Sequence, residues 1–119
     1  TLVIRWGGTP PSGGALSFWT TPSSGSAVSS LAEPFDARTF WPCVDDPADK
    51  AVTTVAVTVP QGYVAASAGL GTSTPASGPG NVTWSWRLPQ PIPTYLVSIA
   101  VARFETITAE YRSLDGDHL

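Results

Sequence analysis

Residues 82–87 read Val82-Thr83-Trp84-Ser85-Trp86-Arg87, and their strict alternation of apolar and polar side chains decides the class of fold. Successive side chains of an extended chain point to opposite faces. Val82, Trp84 and Trp86 therefore share one side, and Thr83, Ser85 and Arg87 the other, as in an antiparallel strand with one face buried. Outward from this stretch, Leu96 to Ala102 is apolar on nearly both sides, which predicts a central strand from Tyr95 to Ala102. Further strands are expected at Leu2 to Trp6, Ala15 to Trp19, Val52 to Val59, Tyr63 to Ser67 and Thr106 to Tyr111. The 11 glycines and 12 prolines are spread throughout, which leaves little room for a helix of ordinary length. The expected fold is all-β, antiparallel, with a saddle-like or sandwich arrangement. Thr20 to Ser30 and Gly71 to Gly80 are rich in Ser, Thr, Gly and Pro and are expected to be mobile surface loops.

At 119 residues the chain fits one domain, 1–119, with one core. It contains no methionine and opens on an already strand-like Leu2 to Trp6, so it reads as an excised, N-terminally truncated piece of a larger protein; its compartment, cytoplasmic or secreted, is left undetermined. A net charge of -3 with six scattered basic residues argues against a nucleic-acid partner, which requires a clustered cationic face. No apolar run approaches the roughly twenty residues that cross a bilayer, so a soluble chain with no membrane partner is expected. Cys43 is the single cysteine. It allows no internal disulfide and is most simply a small buried hydrophobe.

The stretch Glu33 to Lys50, EPFDARTFWPCVDDPADK, is the most irregular of the chain. Pro34 and Pro42 push Glu33 and Trp41 into extended backbone. Asp46, followed by Pro47, is placed to cap free N–H groups, which predicts one short helical turn from Asp46 to Lys50. Asp36 and Arg38 suit a local ion pair worth about 0–1 kcal/mol, or Arg38 braces the loop that carries Glu33. Asp45, Asp46 and Asp49 hold carboxylates that calcium would accept, but the glycine and distant bidentate glutamate of a calcium loop are missing, and turn capping already accounts for Asp46. Trp19, Trp41, Trp84 and Trp86 allow an aromatic platform for sugar or peptide. Alternation places Trp84 and Trp86 in the core, while Trp41 suits either role.

Chemistry of its own is hard to build here. A zincin needs two histidines and a glutamate as His-Glu-x-x-His on a helix, and the chain holds one histidine, His118, near its end. There is no G-x-S-x-G elbow, no P-loop and no dinucleotide fingerprint. No catalytic residue and no metal ligand is assigned.

The separate motifs form an ordered set. Glu33, Pro34, Ala37, Arg38, Pro42, Cys43, Asp45 and Pro47 match in order a signature of the type Gln-x-Glu-Pro-x-x-Ala-Arg-x-x-x-Pro-Cys-x-Asp-x-Pro. Lys50-Ala51, Val55 to Gly62 (VAVTVPQG), Thr83 to Arg87 (TWSWR) and Pro91 to Ala102 (PIPTYLVSIAVA) continue it. From about Ser29 to Phe104 the chain resembles the N-terminal β domain of aminopeptidase N-type zinc metallopeptidases, the family that includes leukotriene hydrolase.

The resemblance implies a non-catalytic domain of a zinc-dependent aminopeptidase, walling the active-site cleft. It implies that Glu33 reaches into that cleft to help hold the free α-amine of the peptide substrate, while Arg38, Trp41, Cys43 and Asp45 are structural members of the motif. Zinc is implied only in a following catalytic domain, which would be this domain's partner; no cofactor is assigned to the chain itself. A fixed carboxylate in a water-poor cleft suits a compact ammonium and discriminates against internal peptide bonds, which carry no charge there. Leu31 stands where the family commonly has glutamine, so one polar contact near the substrate side chain is absent. Two other readings stand beside this one: a stand-alone β-sandwich binding or adhesion module, for which four or more tryptophans exposed on one flat face would speak, and a scaffold domain of a zinc-less relative.

Overall fold

The computed structural model describes residues 1–22, 25–75, 78–105, 107 and 109. Its strands are β1 (Leu16–Thr21), β2 (Gly25–Ser30), β3 (Ala51–Pro60), β4 (Val64–Ser67), β5 (Leu70–Pro75), β6 (Asn81–Ile92) and β7 (Ile99–Ala102), with 3₁₀ turns at Ala37–Thr39 and Thr94–Leu96. They form two antiparallel sheets, one of four strands in the order β1-β2-β7-β4 and one of three in the order β3-β6-β5. Neither sheet closes on itself. The fold is all-β, in keeping with the saddle or sandwich expected from the alternation.

The alternation of β6 places its side chains as its sequence dictates. Val82, Trp84 and Trp86 lie opposite Val59, Val57 and Val55 of β3, on the face that meets the other sheet. A buried indole needs an acceptor for its N–H. Trp84 donates to the Tyr63 carbonyl at 3.2 Å and Trp86 to the Ala65 carbonyl at 2.8 Å, so both indoles stitch the three-stranded sheet to β4. Val59, Ala65 and Val101 are buried beneath them, with Val28, Val57, Tyr63 and Val82 packed around. β7, predicted central, lies between β2 and β4.

Several expectations are corrected. Leu2 to Trp6 is no strand: it is exposed, with Leu2 83% and Trp6 64% accessible. Alternation alone cannot make a strand where no neighbour offers a ladder. Much of Thr20 to Ser30 is strand, because Gly25–Ser30 pairs with β1 on one side and β7 on the other. Likewise Leu70–Pro75 pairs with β6 over its whole length. The strand within Tyr95 to Ala102 begins only at Ile99, Thr94–Leu96 being a 3₁₀ turn. At Asp46 the capping is as expected: its carboxylate accepts from Ala48 N–H at 2.9 Å and its carbonyl from Asp49 N–H at 3.0 Å. The structure stops there at a turn, and the chain's 3₁₀ turns lie elsewhere. The expected strand Thr106 to Tyr111 and His118 fall outside the described residues.

Candidate functional site

Glu33 sits on the loop between β2 and the first 3₁₀ turn, and its side chain is exposed. The Glu33–Pro34 peptide bond is cis. On either side of Glu33 the backbone is pinned. Ala32, 2% accessible, and Ala37, fully buried, pack with Ala15 in a cluster of alanines, against which Phe40, Trp41, Cys43 and Tyr95 lie. Small side chains let the loop backbone approach β1 closely, and the hydrogen bonds use that closeness. Leu31 N–H donates to the Ala15 carbonyl at 2.8 Å, and Asp36 N–H closes the turn onto the Ala32 carbonyl at 3.0 Å. The Thr39 hydroxyl donates to the Asp36 carbonyl at 2.6 Å and accepts from Ala15 N–H at 2.8 Å. Among the described residues none bonds the Glu33 carboxylate. A fixed backbone thus presents an uncommitted anion.

The second anchor of the loop is Asp45, whose side chain is 2% accessible. One of its oxygens accepts from Arg38 N–H at 3.3 Å, and the other from the Thr94 hydroxyl at 3.0 Å. The Arg38 side chain reaches Asp45 at 3.9 Å but is 66% accessible, so the ionic part is screened and worth little. Arg38 therefore pairs with Asp45, and the Asp36 pair expected from spacing is not formed. Cys43 lies half-buried in the alanine cluster. Burial pushes its thiol above its ordinary value of 9.0; the Asp45 charge raises it further and Arg38 partly offsets both. A neutral thiol is a poor nucleophile and a poor metal ligand. Trp41 is half-buried, and its indole N–H is a buried donor with no acceptor.

The described residues do not fit a zinc ion: nowhere do three His, Cys, Asp or Glu side chains cluster. Asp45 and Asp46 are already engaged by backbone N–H groups and a hydroxyl. Nor do the tryptophans form one flat exposed face. Trp6 and Trp19 are exposed, whereas Trp41, Trp84 and Trp86 are half-buried. No helix of the described residues is long and apolar enough to cross a membrane.

The model of the peptidase M1 N-terminal domain matches residues 17–96, a span that holds the three-stranded sheet and the Glu33 loop and ends just before β7. The chain belongs to the peptidase M1 N-terminal domain family. Among relatives of this M1 domain, aminopeptidase N of Haemonchus contortus is 32% identical over 102 residues, covering 80% of this chain and 10% of the relative. Glutamyl aminopeptidase of Sus scrofa is 35% identical over 86 residues, covering 68% and 9%. The chain spans about a tenth of the length of these relatives. A crystal structure of a variant M1 zinc metallopeptidase from Deinococcus radiodurans, bound to a Tyr-Ser-Ala substrate, superimposes with a TM-score of 0.67 at 35% identity, covering 77% of this chain and 22% of that one. A second structure of that metallopeptidase gives 0.58 at 41% identity, covering 63% and 17%.

The sequence singles out Glu33, Arg38, Trp41, Cys43 and Asp45 but not Thr94 and Thr39, whose hydroxyls bond Asp45 and the Ala15–Asp36 backbone. Thr94 lies in the Pro91 to Ala102 motif, ahead of the strand expected from Tyr95, and the motif gives it no role of its own. A threonine flanked by proline in a hydrophobic run was the available sign that its hydroxyl has a buried acceptor.

Proposed function

We propose that this M1 domain is the non-catalytic N-terminal β domain of a longer zinc-dependent aminopeptidase, and that it walls the active-site cleft and offers Glu33 to the substrate's free α-amine. The observation that carries the reading is a carboxylate left unpaired on a loop pinned from two directions. An exposed acid on an unconstrained loop would lose rotamer and backbone entropy on binding; a pinned one has already lost the backbone part. The membership of the M1 family, and a relative solved with a bound peptide, support the peptide as ligand. Zinc would be held in a following catalytic domain, where it would supply Lewis-acid activation of water for hydrolysis. The proposed partners are that domain and the peptide N-terminus.

The test is Glu33→Gln in the full-length enzyme. Glutamine keeps the shape and removes the charge, so kcat/KM on free-amine substrates should fall about ten- to a hundredfold. Kinetics equal to those of the parent would take Glu33 out of the site.

A further inference from the structure

We propose that Asp45 is the positioning residue for Glu33. The inference rests on the amine-binding reading above and adds the group that holds the amine-binding carboxylate in place. A carboxylate that is 2% accessible has lost nearly all its water, which is unfavourable unless its oxygens are hydrogen-bonded. Here each oxygen takes one donor, and the two donors come from different parts of the fold. Arg38 N–H belongs to the first 3₁₀ turn, which is continuous with Glu33 through the Asp36-to-Ala32 and Thr39-to-Asp36 hydrogen bonds. Thr94, 7% accessible, belongs to the second 3₁₀ turn, which runs through Val97 and Ser98 into β7 in the interior of its sheet. Asp45 thus links the Glu33 loop to the sheet interior. The other hydrogen bonds of the loop, at Leu31 and Thr39, go to Ala15 just before β1, and the Phe40 carbonyl accepts from the exposed Trp6 indole at 3.4 Å; Ala37 adds apolar packing in the cluster that Tyr95 lies against.

Without Asp45 the hydrogen bonds left to the loop reach Ala15 and Trp6, both ahead of β1 in the chain, and the packing in the cluster with Tyr95 is non-directional; a second, directional attachment removes the freedom to turn about that line. Loss of the Asp45 link therefore leaves Glu33 present but spread over a wider volume, and a carboxylate so spread binds an ammonium less well. The role is distinct from simple space filling, which any apolar side chain of similar volume would satisfy.

The experiment uses the full-length enzyme and two inhibitors, leucine hydroxamate and its des-amino analogue 4-methylpentanohydroxamate. Their ratio of inhibition constants isolates the contribution of the amine. Thr94→Val, which deletes the hydroxyl donor, should lower this amine preference about tenfold, and Thr94→Ser should restore it. Asp45→Asn, which retains one acceptor for two donors, should lower it as well. In a Glu33→Gln background neither substitution should change the ratio further, because the two residues act through one contact. Equal weakening toward both inhibitors, or a preference unchanged by Thr94→Val and Asp45→Asn while Glu33→Gln abolishes it, would overturn the positioning role and leave Asp45 as a stability residue. A preference untouched by Glu33→Gln is a separate failure, that of the amine-binding reading itself, and the positioning role falls with it.

Discussion

Cys43 and Asp45 stand two residues apart and make opposite electrical demands on one small volume. The thiol is pushed up first by burial and then by the Asp45 charge, with Arg38 acting against both. A thiol whose folded value lies above its unfolded one favours the fold while neutral. Its contribution is fully present below the unfolded pKa and is lost as pH rises through the folded value. Stability should therefore decline as pH rises through the ordinary thiol value of 9.0, where the unfolded thiol is half ionised, toward the higher folded value. Replacing Cys43 by Ala should flatten that alkaline loss, as followed by urea midpoints from pH 7 to 10.5. An equal decline in both proteins would assign it to other groups. At this scale the site was half legible. The residues of the motif are visible, but for Arg38 the sequence offers only a pair with Asp36 or a brace for the Glu33 loop with no named partner, because spacing shows only sequence neighbours. The extended Trp41-Pro42 segment brings Asp45 back to Arg38, a contact that only the folded chain makes.

Legibility at the scale of elements follows where the stabilisation comes from. β3 and β6 announce themselves because their inward side chains pack, and packing requires an alternating pattern. β5 is exposed at every position and holds to β6 through its backbone ladder, so its Gly, Ser and Thr carry no signal of a strand. What does mark it is Gly71. It lies opposite Trp86, and a Cβ there would come within 2.5 Å of the indole ring. That ring is tethered by its bond to the Ala65 carbonyl and has little freedom to retreat. Gly69 is stricter still, with φ +101° and its missing Cβ aimed at the Arg87 carbonyl. Gly71→Ala should accordingly cost about 1–3 kcal/mol in chemical denaturation, with a shift in tryptophan fluorescence as Trp86 is displaced. An unperturbed midpoint and spectrum would mean that β5 separates from β6 without loss.

Over the whole molecule, the distribution of apolar surface departs from that of a closed sandwich. The buried residues of both clusters are small or medium, and none of the large side chains among the described residues is fully buried. Leu2, Val3, Phe18, Leu31, Val44 and Leu70 are each more than 60% accessible. A groove of about 620 Å³, lined by Trp6, Phe40, Trp41, Val55, Val57 and Ile99, lies against β3, whose other edge carries no partner strand among the described residues. The radius of gyration is 15.7 Å, where a compact chain of this length has about 13.5 Å. Single exposed apolar residues are ordinary, but an open groove lined mostly by apolar side chains, with Trp6 and Val52 among the exposed ones, is a site that binds apolar probes. The isolated 119-residue chain should therefore enhance the fluorescence of anilinonaphthalene sulfonate at neutral pH while keeping a β-type circular dichroism spectrum. Its thermal unfolding should be broad, because the alanine cluster and the indole-stitched cluster share few large side chains through which to unfold together. Incorporation in the full-length enzyme should suppress the dye signal and raise the unfolding temperature of the domain if the proposed following domain packs on this surface. A dye-silent isolated chain with a sharp transition would show that the two small clusters suffice, and that the exposed face has no need of cover.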